Sequence, residues 1–257
     1  MSALFSLQNK VAVITGSSRG IGRAIAEQMA LAGAKVVISS RKADACEEVA
    51  AAIRGAGGEA LVIPANISDK AQLQNLVDKT VQTYGRIDIL VCNAAINPYF
   101  GPSSGISDEQ FDKIMHANIK SNHWLCNMVL PQMAARQDGV ILIVSSVTGL
   151  TASPMLAAYG LSKAADMQLA RNLAAEWGTR NIRVNCLAPG LIKTDFARAL
   201  WENPPLLERI TSRSCLRRIG LPNEVAGAAV FLAADAGRFI TGQTLVIDGG
   251  GNLGDGF

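Results

Sequence analysis

The stretch "KVAVITGSSRGIG", residues 10–22, decides the architecture. Its first half is an unbroken apolar run, the pattern of a strand covered on both faces rather than one. Its second half carries glycines at 16, 20 and 22 in a G-x-x-x-G-x-G spacing and passes into a helical pattern over 20–32. Glycines at a strand-to-helix junction permit a tight turn. They also let backbone N–H groups approach an anion at the positive end of the helix. The same alternation repeats along the chain. Apolar runs at 34–40, 59–66, 87–95, 139–146, 182–190 and 243–250 read as further buried strands. Between them, 42–56, 69–84, 107–136, 156–178 and 222–235 read as helices.

Strands regularly separated by helices imply right-handed βαβ units. The expected fold is α/β: a single-domain, Rossmann-like, doubly wound parallel sheet of about seven strands with helices on both faces, spanning 1–257. The segment 191–221 breaks the pattern with Pro204 and Pro205 and carries Phe196, Leu200 and Trp201. It is expected to act as a lid over a site.

Composition narrows the function. Of 257 residues, 49% are apolar and 18% charged, which suits a packed core. A net charge of +3, scattered along the chain, gives no footprint for nucleic acid. No apolar run reaches the about 20 residues that a membrane span needs. The start, "MSALFSLQNK", lacks the basic-then-apolar plan of a signal peptide. Cysteines 46, 92, 126, 186 and 215 are odd in number and form no C-x-x-C pair. They read as reduced thiols of a cytoplasmic protein. His116 and His123 have no partner at a metal-ligand spacing, so no metal is expected.

The glycine loop, with Gly16, Ser18, Arg19, Gly20, Ile21 and Gly22, sits at the first strand–helix junction, where a dinucleotide pyrophosphate would be held. About 20 residues further on, an NAD-binding protein puts an acid against the ribose 2′-hydroxyl. Here the second strand ends in Ser39, Ser40, Arg41 and Lys42, and Asp44 comes too late, at the start of the next helix. Arg41, with Arg19, is suited to a 2′-phosphate. NADP(H) is therefore the expected cofactor.

"AAYGLSKAAD", residues 157–166, places Tyr159 and Lys163 four residues apart on one helical face, after a strand ending in Ser145 and Ser146. A free phenol, with a pKa of about 10, is a poor base near neutrality. A neighbouring ammonium favours the phenolate and tunes it for proton transfer.

Together with "TGSSRGIG", the motifs "CNAAI" (92–96), "HANIKSN" (116–122), "IVSS" (143–146), "YGLSK" (159–163), "NIRVNCLAPGLIKT" (181–194) and "ITGQTLVIDGG" (240–250) closely resemble the short-chain dehydrogenase/reductase family. The resemblance runs from Lys10 to about Gly250. It implies Tyr159 as the acid/base and Ser146, rather than Ser145, as the catalytic serine. It implies Lys163 on the nicotinamide ribose and Asn118 as the holder of a water in a proton relay. Asn93 would support the sheet centre, and Ala94 would contact the adenosine half. Pro189, Gly190, Ile192 and Thr194 would shape the nicotinamide pocket. The family's aspartate beside the adenine is Asn66 here, next to Ile67, and a glycine common in the family is Ala95. Homotetramers, or dimers, are the implied assembly.

Three functional readings follow. The phrases "VVISSRK", "ILVCNAAINPYFG" and "CLAPGLIKT" resemble the carbonyl- and retinal-reducing branch of the family. This branch implies a small-molecule carbonyl/alcohol substrate lined by Ile96, Phe100, Met155, Leu156, Leu191, Phe196 and Trp201. A 3-oxoacyl-[acyl-carrier-protein] reductase shares the catalytic motifs and needs a basic surface, for which Arg217 and Arg218 are the candidates. A non-catalytic nucleotide sensor is opposed by the intact set Asn118, Ser146, Tyr159 and Lys163.

Overall fold

The computed structural model describes residues 3–253. Seven parallel strands form one sheet in the order β3-β2-β1-β4-β5-β6-β7. The strands are β1 (Val11–Thr15), β2 (Lys35–Ser39), β3 (Glu59–Val62), β4 (Ile89–Cys92), β5 (Gly139–Val144), β6 (Ile182–Pro189) and β7 (Thr244–Ile247). The helices are α1 (Gly20–Leu31), α2 (Ala43–Gly55), α3 (Lys70–Tyr84), α4 (Asp108–Met115), α5 (Ser121–Arg136), α6 (Ala157–Trp177), α7 (Arg198–Trp201), α8 (Pro204–Thr211) and α9 (Pro222–Ala233).

Successive residues of one strand enter opposite cores, which is why the strands lack polar alternation. Ala12 and Ile14 pack with Ile25 and Met29 of α1, Val49 of α2 and Val225 of α9. Val13, Ile141 and Ile143 pack on the other face with Leu73 of α3, Leu125 of α5 and Met167 of α6. Every residue of β1, β4 and β5 is buried. Among the described residues no helix is long and apolar enough to cross a membrane.

Two elements differ from the expectation. The helix expected over 107–136 is interrupted by a π turn, His116–Lys120, between α4 and α5. Side-chain bonds brace this wide turn: the Asn118 amide is tied across to Ile96, and the Asn118 carbonyl accepts from Asn122 Nδ2, four residues on, at 2.7 Å. β7 was expected to be covered on both faces, but Leu245 and Val246 are 36% and 38% exposed. The strand lies at the sheet edge and pairs only with β6.

The chain passes from β1 outward to β2 and β3, then crosses back to place β4 on the other side of β1. The connections leaving the carboxyl ends of β1 and β4 therefore diverge. They leave the crevice where ligands bind in open α/β sheets.

Candidate functional site

The crevice is stitched from both of its sides. Asn93, just past β4, donates from its backbone N to Thr15 Oγ1 at 3.0 Å and from Nδ2 to Thr15 O at 2.9 Å. Ala94 N also reaches Thr15 Oγ1, at 3.1 Å. These bonds fix the start of the glycine loop against β4. Gly16 has φ +66°, and a Cβ there would meet Asn93 Nδ2 at 2.9 Å. A Cβ on Gly22 would lie 2.4 Å from both Asn93 Nδ2 and Gly16 O. Arg19, at the start of α1, makes no side-chain cap bond, which leaves the first N–H groups of the helix facing the loop. A cradle kept open by missing side chains, at an uncapped helix start, fits a pyrophosphate.

Ser17 was not among the expected residues, yet it is fully buried and holds the loop to β2. Its hydroxyl donates to Ile14 O at 2.7 Å and accepts from Ser39 N at 2.9 Å. The only signal in the sequence was its place beside Gly16.

Beyond β2, Ser40 Oγ lies 3.1 Å from Cys46 Sγ, while Arg41 and Arg19 are exposed and form no ion pair among the described residues. Asp44 falls in the first turn of α2. Asn66 Oδ1 accepts from Ser68 N at 3.1 Å, which closes a local turn next to half-buried Ile67.

At the carboxyl end of β5 the two serines divide. Ser145 is buried and donates to Lys163 O at 2.7 Å, so its hydroxyl is spent on α6. Ser146 is only half-buried; its Oγ accepts from Thr148 Oγ1 at 2.9 Å and stands beside Tyr159. Lys163 Nζ is 5.7 Å from the Tyr159 ring centre and donates to Val144 O and Asp166 Oδ2, each at 2.9 Å. Burial lifts the Tyr159 phenol above its ordinary value; Lys163 pulls it down, Asp166 pushes it up and the Ser146 hydroxyl favours the phenolate. Burial also works against the charge on Lys163, but the Asp166 carboxylate and Tyr159 lift the ammonium above its ordinary value.

Asn118 is fully buried and does not bond to Lys163 directly. Its amide serves Ile96 and Ser162 Oγ, the latter at 3.0 Å. The connection to the lysine runs through Asn122, which donates to Asn118 O and to Asp166 Oδ1, and then through Asp166. Asn122 lies within the motif "HANIKSN" and Asp166 just past "YGLSK", yet neither was among the expected site residues. An acid on the inner face of an apolar helix, three residues past Lys163, was the available signal.

The segment after β6 closes the third side. Gly190 N donates to Ile247 O at 3.0 Å, and buried Ile192 bridges Gly220. Thr194 Cγ2 comes within 3.3 Å of where a Gly20 Cβ would stand, so this segment meets the glycine loop. Trp201 Nε1 donates to Thr194 O at 2.8 Å. Trp201 lines a cleft of about 500 Å³ with Gly20, Thr194 and Leu221, on the loop side of the site. Phe196 has its ring 6.2 Å from that of Tyr159. Leu156 bridges Gly101, joining the loop that carries Ile96 and Phe100 to the start of α6. Phe100 and Met155 are exposed at the rim, and Leu191 accepts from Gly220 N.

Comparison with known proteins gives the class. The family model described as enoyl-(acyl carrier protein) reductase matches residues 16–252. Dehydrogenase/reductase SDR family member 4 of Bos taurus is 42% identical over 244 residues, covering 95% of this chain and 88% of its own. Among solved structures, a gluconate 5-dehydrogenase from Burkholderia cenocepacia J2315 in complex with NADP and tartrate is similar at TM-score 0.94 and 33% identity, over 98% of each chain. A 7 alpha-hydroxysteroid dehydrogenase complexed with NADH and 7-oxo glycochenodeoxycholic acid matches at TM-score 0.94 and 35% identity, over 97% of each chain. The chain belongs to the short-chain dehydrogenase/reductase family, whose members are nicotinamide-dependent oxidoreductases.

Gly22→Ala is expected to cost about 1–3 kcal/mol of stability through overpacking against Asn93 and Gly16. It should also weaken nicotinamide dinucleotide binding at least about tenfold. Urea denaturation and a fluorescence titration with cofactor measure the two effects.

Proposed function

We propose that the protein is an NADP(H)-dependent reductase of ketones or aldehydes, working reversibly on the corresponding alcohols. The observation that carries this reading is the cluster of Tyr159, Lys163 and Ser146 at the carboxyl end of β5, beside the crevice. When bound, the nicotinamide supplies or accepts the hydride. Gly16, Gly20 and Gly22 make room for the pyrophosphate, and Thr194, Ile192 and Pro189–Gly190 border the nicotinamide end. Ser146 Oγ donates a hydrogen bond to the substrate carbonyl oxygen. Tyr159 gives its hydroxyl proton to the same oxygen as the carbon is reduced, and takes one back in the reverse direction. Lys163 holds the ribose side and steadies the phenolate left behind. Asn118 stands at the head of the path by which the proton is replaced.

Phe196 beside Tyr159, with Ile96 and Leu156 on the facing loops, supports an apolar substrate. The 191–221 segment, which includes α7 and α8, is the lid. Arg41 and Arg19 support the 2′-phosphate of NADP(H). The two structural relatives are described with NADP and with NADH respectively, so the fold accommodates either cofactor.

A 3-oxoacyl-carrier reductase draws less support. The arginines that would face an acidic carrier are engaged: Arg217 with Ser212 O, and Arg218 with Glu224 through two bonds of 2.8 and 2.6 Å. The exposed apolar Phe239, Leu245 and Val246 support a homotetramer or dimer built partly on the β7 edge. Five free cysteines, four of them buried, support a cytoplasmic location.

Tyr159→Phe is expected to lower carbonyl-dependent NADPH oxidation at least about a hundredfold, with NADPH affinity nearly unchanged. Substantial remaining turnover contradicts the acid/base role. Arg41→Asp is expected to move the NADPH-to-NADH ratio of kcat/KM toward NADH by at least about tenfold. An unchanged ratio removes Arg41 from the phosphate site.

A further inference from the structure

Asp166 is a fully buried acid that the chemistry above leaves without a task. A buried carboxylate is costly unless both oxygens are engaged and an opposite charge is at hand. Both conditions are met here. Oδ2 accepts from Lys163 Nζ at 2.9 Å, and Oδ1 accepts from Asn122 Nδ2 at 2.9 Å. Asn122 is itself anchored to Asn118 O in the π turn at 2.7 Å. The lysine that faces Tyr159 is therefore half of a buried ion pair held from two helices.

The other titratable groups around this pair are few. Cys92 comes from β4, Cys126 from α5, and Cys186 from β6, its Sγ donating to Asp166 O at 3.4 Å. The hydrogen bond with Cys126, and then burial, push the Cys92 thiol up, and burial pushes the Cys186 thiol up, so both stay uncharged near neutrality. On α6 itself stand Tyr159 and, further along, Arg171. The charges set closest to the tyrosine are Lys163 and Asp166.

We propose that Asp166 is a positioning residue for the proton donor: its carboxylate fixes the Lys163 ammonium between Asp166 Oδ2 and Val144 O and offsets its charge, which biases the site toward Tyr159 as a proton donor. This rests on the assignment of Tyr159 and Lys163 made above. A lone ammonium would favour the phenolate, whereas an ammonium paired with a carboxylate does so only weakly. Reduction needs the protonated phenol and fades as pH rises through its pKa. Oxidation needs the phenolate and grows across the same range. Asp166 thus extends reduction to higher pH and delays oxidation.

The test is the near-ultraviolet tyrosinate absorbance of the cofactor-free protein, titrated as the wild type and as Asp166→Asn. Each titration is read as a difference against the same protein carrying Tyr159→Phe. Tyr84, pushed up to about 12 by burial, cancels in the difference. The Tyr159 transition is expected about one unit lower in Asp166→Asn, while Asp166→Glu, which keeps the charge, returns it toward the wild-type position. The alkaline limb of carbonyl reduction should move down with it. An unchanged or upward transition in Asp166→Asn overturns the proposal. Asp166→Ser, whose space admits water to Lys163, repeats the test should the asparagine variant fail to fold. The absorbance readout does not depend on turnover, so a protein that reduces no carbonyl would sink the proposed function while the titration still decides the role of Asp166.

Discussion

An ammonium buried beside a phenol is the constraint around which the site is arranged. Lys163 is only 2% exposed, and a charge so placed survives only where its donors are matched. One donor goes to Val144 O at the end of β5, and a second goes to Asp166. The first ties α6 to the sheet, so that Tyr159, one turn earlier, is held over the strand end. The second brings α5 into the arrangement through Asn122. The same residues that keep the lysine satisfied therefore aim the tyrosine at the crevice.

The crevice is a consequence of sheet order. With β2 on one side of β1 and β4 on the other, the chain has to leave the two strand ends in opposite directions. Asn93 and Thr15 close the gap that this leaves, and the room needed for the glycine loop follows from it. The glycine loop after β1 and the Tyr159–Lys163 cluster at the end of β5, one strand beyond β4, are thus built by independent devices: missing side chains in one, matched buried charges in the other. A substitution in either should leave the other largely standing.

Most of the fold was legible in the sequence because the sheet is covered on both faces. That requirement writes itself as continuous apolar runs, and β1, β4 and β5 are buried throughout as a result. The glycine loop at the first strand–helix junction, and the gathering of Ser146, Tyr159 and Lys163 at the end of β5, were legible because they depend on local spacing or on family motifs. The exposure of β7 was hidden, since its residues are as apolar as those of an inner strand and only sheet order decides what covers them. The π turn was hidden too. It is held by bonds from Asn118 to Ile96 and Ser162, groups distant in sequence. Asp166 has one partner three residues away, which its own helix shows, and another 44 residues away on α5, which no single helical pattern reveals.

The measurement that tests the account most directly is the rate of NADPH consumption by the purified protein over a panel of carbonyls, with NADH run in parallel. The panel spans aromatic ketones, α-diketones, retinal, sugar ketones and a 3-oxoacyl thioester. The account predicts turnover of the apolar ketones and aldehydes, faster with NADPH than with NADH. Activity confined to the thioester, or none at all despite tight NADPH binding, would contradict it.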